Sequence, residues 1–204
     1  MPTDKRVLKL CITALMAALA YVSFTFLKIN IPTPGGYTAF HLGNTFVVLA
    51  SLLLGGWPGG IAGAIGMGIG DILDPIYIIV APKTIILKLG IGLVTGGMAH
   101  RRLKIQNRSG RSLSRATFLS AGAGMLFNCL GEPLFSYFYT AYILGAPEKA
   151  AKSLAAWNAL TTGTNAILTV IIASLLYLAL YPRLKKNGIL RKIAPSYKYY
   201  NEDQ

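Results

Sequence analysis

Apolar stretches long enough to cross a bilayer recur along this chain, and they leave few folds open. A membrane helix needs about 20 mostly apolar residues, fewer when neighbouring helices shelter it. Residues 7–27 meet that requirement directly. From 42 to 74 the chain stays apolar except at Gly55-Gly56-Trp57-Pro58-Gly59-Gly60, where proline and glycine predict the end of one helix and the start of the next. Further runs at 81–100, 116–144 and 152–181 complete the set, so the spacing predicts six spans: 7–27, 42–56, 59–74, 81–100, 116–144 and 152–181. The expected fold class is all-α, an integral membrane six-helix bundle forming one domain over residues 1–204.

Charge agrees with this. Only 13% of the 204 residues are charged, yet Lys and Arg outnumber Asp and Glu by 20 to 7. In a polar protein such an excess would suggest nucleic acid, but here the basic residues lie between apolar runs, so they read as topology and not as a nucleic-acid footprint. The N-terminus (Lys5, Arg6, Lys9), a basic loop over 101–115 and a basic tail over 183–204 hold most of them, the tail contributing Arg183, Lys185, Lys186, Arg191, Lys192 and Lys198. The positive-inside rule then places both termini in the cytoplasm, which requires an even number of spans. A cleaved signal peptide competes for the N-terminus, but the apolar run continues past Ala18-Leu-Ala20 to Leu27. Cys11 and Cys129 form no spaced framework for a disulfide or a thiolate metal site.

Within spans, ionisable side chains cost about 2.5–3.5 kcal/mol each at the bilayer centre and are functional candidates by default. Asp71, Asp74, Lys83, Lys88 and Glu132 form that set, with ion pairs expected between the aspartates and the lysines, Asp71 with Lys88 first. Uncharged polar residues recur at helical spacing: Asn128, Ser136 and Tyr139 with Glu132 in the fifth span, then Asn158, Thr161, Thr162 and Asn165 in the sixth. Each row occupies one face, serving either hydrogen bonds between helices or a polar small molecule inside the bundle. The aromatic residues Phe135, Tyr137, Tyr139, Tyr142 and Trp157 suit an interfacial belt or pocket walls equally. The segment Asn30 to Asn44, with two prolines and two adjacent glycines, is expected to be a loop lying over an outward-facing pocket. The small-residue pattern of Gly59-x-x-x-Gly63 and Gly66-x-x-x-Gly70 predicts close helix packing, and Ala14-x-x-x-Ala18 either packs inside or docks another subunit.

No phosphate-binding G-x-x-x-x-G-K-[ST] loop, H-E-x-x-H, G-x-S-x-G or C-x-x-C motif occurs. Transport by such a chain would need a partner to supply energy. A membrane enzyme acting on a phosphorylated lipid headgroup is the alternative from another class, with Asp71-x-x-Asp74 holding Mg²⁺. Its weakness is that the aspartates and the arginine-rich loop fall on opposite sides of the membrane.

In its order of motifs the chain resembles the S component, the membrane substrate-binding subunit, of an energy-coupling factor (ECF) vitamin transporter. The resemblance rests on Ala14-x-x-x-Ala18, His41-Leu-Gly-Asn44, Leu54-Gly-Gly-Trp-Pro-Gly-Gly60, Gly66 to Asp74, Ala81-Pro82, and Lys88 with Gly92 and Gly96. It implies a non-enzymatic subunit of a prokaryotic plasma membrane that holds one vitamin-like molecule at its outer side. By position it selects Tyr37, Phe40, His41, Lys83, Lys88, Asn128, Glu132, Tyr139, Asn158, Thr162 and Asn165 as candidate substrate contacts. Ala14 and Ala18 inherit contact with the coupling T subunit. Two ABC-type ATPases, carrying ATP and Mg²⁺, would complete the complex, and no cofactor is expected in this chain. The resemblance lies nearest the pyridoxine or hydroxymethylpyrimidine branch, and the mix of amides, hydroxyls, aromatics and charge suits such a ring. Riboflavin and pantothenate are the alternatives, the latter needing Lys83 or Lys88 opposite its carboxylate.

Overall fold

The computed structural model describes residues 2–195. In chain order it comprises α1 (Pro2–Phe26), β1 (Lys28–Thr33), β2 (Gly36–His41), α2 (Gly43–Leu54), α3 (Gly56–Ile72), α4 (Ala81–Gly96), α5 (Gly110–Phe138), α6 (Glu148–Lys186) and a short α7 (Ile189–Ile193). Wider π-helical turns extend α4 through Gly97–Arg102 and α5 through Tyr139–Ile143. Among the described residues, three segments are long and apolar enough to cross a membrane alone: Lys5–Phe26, Ile78–Arg102 and Glu148–Lys186. With 12 residues, α2 is about 18 Å long and falls short of the hydrocarbon thickness. It is also the most enclosed helix, buried at nearly every position by its neighbours.

One residue divides α2 from α3. Gly55 (φ +97°) turns the chain back, and the helix resumes at Gly56. The expected break over 55–60 is therefore shorter than the composition suggests. Trp57, Pro58, Gly59 and Gly60 are helical, because a proline in the first turn lacks only an N–H that has no partner there. The glycines of α3 let it lie against three helices at once. A Cβ at Gly60 would stand 2.9 Å from the Leu89 backbone of α4, one at Gly63 would meet Val47 of α2, and one at Gly66 would strike the Ala17 carbonyl of α1. Small residues thus replace side-chain interdigitation with backbone approach, as the spacing predicts.

The all-α expectation needs correction at one place. Residues 28–41, expected as an irregular loop, form an antiparallel hairpin with Lys28 opposite His41 and Thr33 opposite Gly36. The alternation Lys28-Ile29-Asn30-Ile31 followed by Pro34-Gly35-Gly36 is a hairpin signal that the apolar-run reading passes over.

Boundaries differ elsewhere as well. The basic connection narrows, since α5 begins at Gly110 and the π-helical turns run through Arg102. Arg183, Lys185 and Lys186 belong to α6, Arg191 and Lys192 to α7, and Lys198 lies outside the described residues. The helices alternate in direction, so the start of α1 and the end of α6 meet α7 at one basic end while the hairpin caps the other.

Candidate functional site

A polar cavity lies beneath the hairpin, enclosed by β2, the outer turns of α3 and α4, and the facing rows of α5 and α6. It offers ≈ 80 Å³ of room for the centres of water-sized molecules. Nine of the eleven candidates from the sequence line it: Tyr37, His41, Lys83, Lys88, Asn128, Glu132, Asn158, Thr162 and Asn165. Phe40 and Tyr139 do not. Phe40 sits on β2 beside the lining residues without joining them. Tyr139 opens the π-helical turn, and its hydroxyl donates to the Ile79 carbonyl at 2.7 Å, holding the ring in a separate apolar groove with Phe135, Phe138 and Tyr142 on the outside of α4 and α5.

The polar rows are divided between holding the fold and facing the cavity. Asn165 acts as a strand edge toward the hairpin. Its Oδ1 accepts the His41 backbone N–H at 3.2 Å, and its Nδ2 donates to the Ala39 carbonyl at 3.1 Å. A buried Thr38–Thr161 hydroxyl pair at 2.7 Å adds a second tie between β2 and α6. Asn158 donates to Ser136 at 2.6 Å, joining α6 to α5. By contrast the buried acceptors Asn44 Oδ1 and Asn128 Oδ1 and the buried ring nitrogen His41 Nδ1 have no hydrogen-bond partner, and all three residues line the same cavity. Unsatisfied buried polar atoms are costly and uncommon, so their convergence marks a place built for something that donates hydrogen bonds.

The ion pairs differ from the expected ones. Lys83 pairs with Glu132 of α5 at 2.5 Å, both largely buried, in place of an aspartate of α3. Lys83 stands on the first turn of α4, the helix that packs between α3 and α5, and its side chain turns toward α5. Asp74 pairs at 2.5 Å with Lys28 of the hairpin, whose ammonium also lies 4.5 Å from the Tyr77 ring centre and 5.2 Å from that of Phe24. Burial resists ionisation of Asp74, but Lys28 and the Ile76 N–H outweigh it and hold the carboxyl below its usual range. Asp71 and Lys88 form no ion pair with each other; both are buried and both line the cavity. Burial, helped by the positive charges of Lys88 and Lys28, pushes the His41 imidazole down to about 3. His41 is therefore neutral at any physiological pH, packed edge-on to Phe24 at 4.9 Å, and available as an acceptor.

Sequence spacing missed Thr38, Asn44 and Tyr77 as part of this site; it marked Thr161 on the polar row and Asp71 among the ionisable candidates without selecting either as a substrate contact. Thr161 was within reach, one helical turn from both Asn158 and Asn165. Tyr77 was not: its hydroxyl lies 3.1 Å from Asn30 Oδ1 and 3.2 Å from the Thr38 carbonyl only because the hairpin folds over it.

Residues 5–182 match the family model described as "ECF-type riboflavin transporter, S component". The chain belongs to this family. Among solved structures, ThiT from Listeria monocytogenes shares the fold, with a TM-score of 0.54 and 19% identity over 94% of this chain and 100% of its own. Among curated proteins none matches. S components are membrane subunits that bind the vitamin their transporter takes up; they work with a T component and ATPases and are not enzymes. The Asp71-x-x-Asp74 metal site of the enzyme alternative does not form here. Asp74 is engaged by Lys28, and among the described residues no cluster of three His, Cys, Asp or Glu side chains is placed to hold a metal.

On this S component Ala14 and Ala18 lie exposed on one face of α1, while Ala17 and Ala20 turn inward against α3. The alternative that the stripe packs inside the bundle is thereby corrected.

Proposed function

We propose that this S component crosses a prokaryotic plasma membrane six times with both termini in the cytoplasm, and captures a small ring-shaped vitamin from outside in the cavity under the hairpin. The single observation that carries the reading is the convergence of unpartnered polar atoms at His41, Asn44 and Asn128, the two amide oxygens being acceptors, on one cavity with Asp71 and Lys88. Acceptors of this kind call for hydroxyl or ring N–H donors. A volume that holds only a handful of waters favours a single ring of the pyridoxine or hydroxymethylpyrimidine type over a tricyclic one. Tyr37, Lys83, Glu132, Asn158 and Thr162 complete the walls, with Asn165 positioning the hairpin. Ala14 and Ala18 dock the T subunit, and two partner ATPases carrying ATP and Mg²⁺ energise release inward.

Riboflavin is the second reading, favoured by the description of the matching family. It would require the hairpin to rise and enlarge the cavity. Pantothenate would place its carboxylate on Lys88, since Lys83 is already held by Glu132. A thermal-shift screen of the purified chain against water-soluble vitamins separates these, because a ligand that binds only the native state raises the midpoint. Pyridoxine or hydroxymethylpyrimidine is expected to give the largest rise. A rise with riboflavin alone would replace the first reading by the second, and a folded sample that responds to no vitamin would remove both.

A further inference from the structure

A second, larger cavity lies at the basic end, ≈ 400 Å³ by the same measure. It is unconnected with the vitamin site: from Lys88 to His100 along α4 and its π-helical extension the rise is about 18 Å. Three cations from three different elements meet on it: Lys104 from the connection after α4, Lys185 from the end of α6 and Arg191 from α7. None has an acidic partner among the described side chains, and beyond the first turn of α1 the acidic residues among those described, Asp71, Asp74, Glu132 and Glu148, all lie at the hairpin end.

The site is built, not incidental. His100, buried beneath it, is held by the Ser51 carbonyl at 3.1 Å and by Gln106 at 3.0 Å, which fixes the connection carrying Lys104. Lys104 itself adopts a left-handed conformation (φ 46°), uncommon for a side chain with a Cβ. Gly188 (φ +67°) turns the chain so that α7 brings Arg191 back over the end of α6. Tyr181 holds the same connection through the carbonyls of Gln106 and Arg108, each 3.4 Å from its hydroxyl, and its ring lies 5.7 Å from the Lys185 ammonium.

Beneath the cations the walls are apolar, formed by Leu52, Leu190, Pro195 and the ring of Tyr177. Tyr177 and Tyr181 also mark the level at which the apolar run of α6 gives way to Arg183, Lys185 and Lys186, the boundary between hydrocarbon and water. A cationic rim over an apolar floor at that depth matches a phosphodiester attached to a glycerol and its acyl chains. Basic pockets between helices on the inner side recur as headgroup sites. We propose that this cavity binds the headgroup of an anionic phospholipid, with Lys104, Lys185 and Arg191 on the phosphate.

The test uses the full purified chain titrated with phosphatidylglycerol, phosphatidylcholine or inorganic phosphate, read by native mass spectrometry and by thermal shift. Phosphatidylglycerol is expected to remain bound at one molecule per chain and to raise the midpoint, while the other two do neither. Replacing the three cations together (Lys104→Gln, Lys185→Gln, Arg191→Gln) is expected to weaken phosphatidylglycerol binding on the order of 100-fold, from the usual contribution of a basic side chain near an anionic headgroup. Arg101→Gln, Arg111→Gln and Arg115→Gln remove equal charge from exposed positions outside the cavity and are expected to cost less than about threefold. Should the first variant lose its cooperative transition in phosphatidylcholine, Lys185→Gln alone decides, with a loss of about fivefold. Equal losses in the two triple variants, equal binding of phosphatidylcholine, or a shift produced by inorganic phosphate alone would each overturn the assignment.

Discussion

Replacing Asn165 by Ala should loosen the hairpin without unfolding the bundle. The side chain makes two hydrogen bonds to β2, to the His41 N–H and from its own amide to the Ala39 carbonyl. Each is worth about 0.5–1.5 kcal/mol net, and the two backbone groups left behind are partly shielded from water. A loss of about 2 kcal/mol follows, which is roughly a 30-fold rise in the population of a detached strand. In the ligand-free protein, amide exchange at His41 should accelerate by that factor. With vitamin bound, the dissociation rate should rise by a similar factor while association changes little, since a lid that opens more often mainly shortens residence. Asn165→Asp preserves an acceptor for His41 but sets a carboxylate oxygen against the Ala39 carbonyl, so it should be no better than Ala. Hydrogen exchange with mass spectrometry and stopped-flow dissociation measure the two effects. Wild-type exchange at His41 in the ligand-free Asn165→Ala protein would refute the reasoning, because replacing a residue that only touches vitamin could still alter dissociation but would leave that amide protected.

The remaining expectations concern other parts of the molecule. Glu132→Gln should lower stability by about 3–5 kcal/mol, because it strands the buried Lys83 ammonium; pairing it with Lys83→Met should restore the thermal midpoint but not vitamin binding, and a midpoint unchanged in the single variant would show the pair to be solvated. Ala14→Leu or Ala18→Leu, both on the exposed face of α1, should leave vitamin binding intact and abolish copurification with the T subunit. Native His41 stays neutral down to about 3, while an unfolded histidine takes up a proton below about 6.5, so the unfolded state gains protons first as pH falls. Stability is therefore steady above about pH 6.5 and declines below it, approaching about 1.4 kcal/mol per pH unit, and His41→Gln should remove that part of the slope in thermal midpoints recorded from pH 7.5 to 5.

What the sequence makes legible here follows the solvent. In a bilayer every backbone group must be satisfied within the segment or its barrel, so apolar length translates almost directly into helices, and the small-residue spacing of α3 translates into close packing on α1, α2 and α4. The facing rows Asn128 to Ser136 and Asn158 to Asn165 were legible for the same reason: a polar side chain in an apolar helix has one economical direction, inward. Partners were not legible. The spacing of Asp71, Asp74, Lys83 and Lys88 offers several pairings of similar merit, and the observed ones depend on Lys28 arriving from a hairpin and on α4 turning Lys83 toward Glu132.

That hairpin also explains why the site residues divide as they do. Once β2 lies across the open end of the bundle, its edge demands donors and acceptors, and Asn165 and Thr161 supply them. Asn128 Oδ1 and Asn44 Oδ1 make no such bond, and both residues line the cavity together with Asp71. The polar lining thus performs two tasks. On the proposed function, substitutions at Asn165 and Thr161, which hold the cover, should act on vitamin dissociation, and those at Asn128, Asn44 and Asp71 on affinity with the hairpin closed.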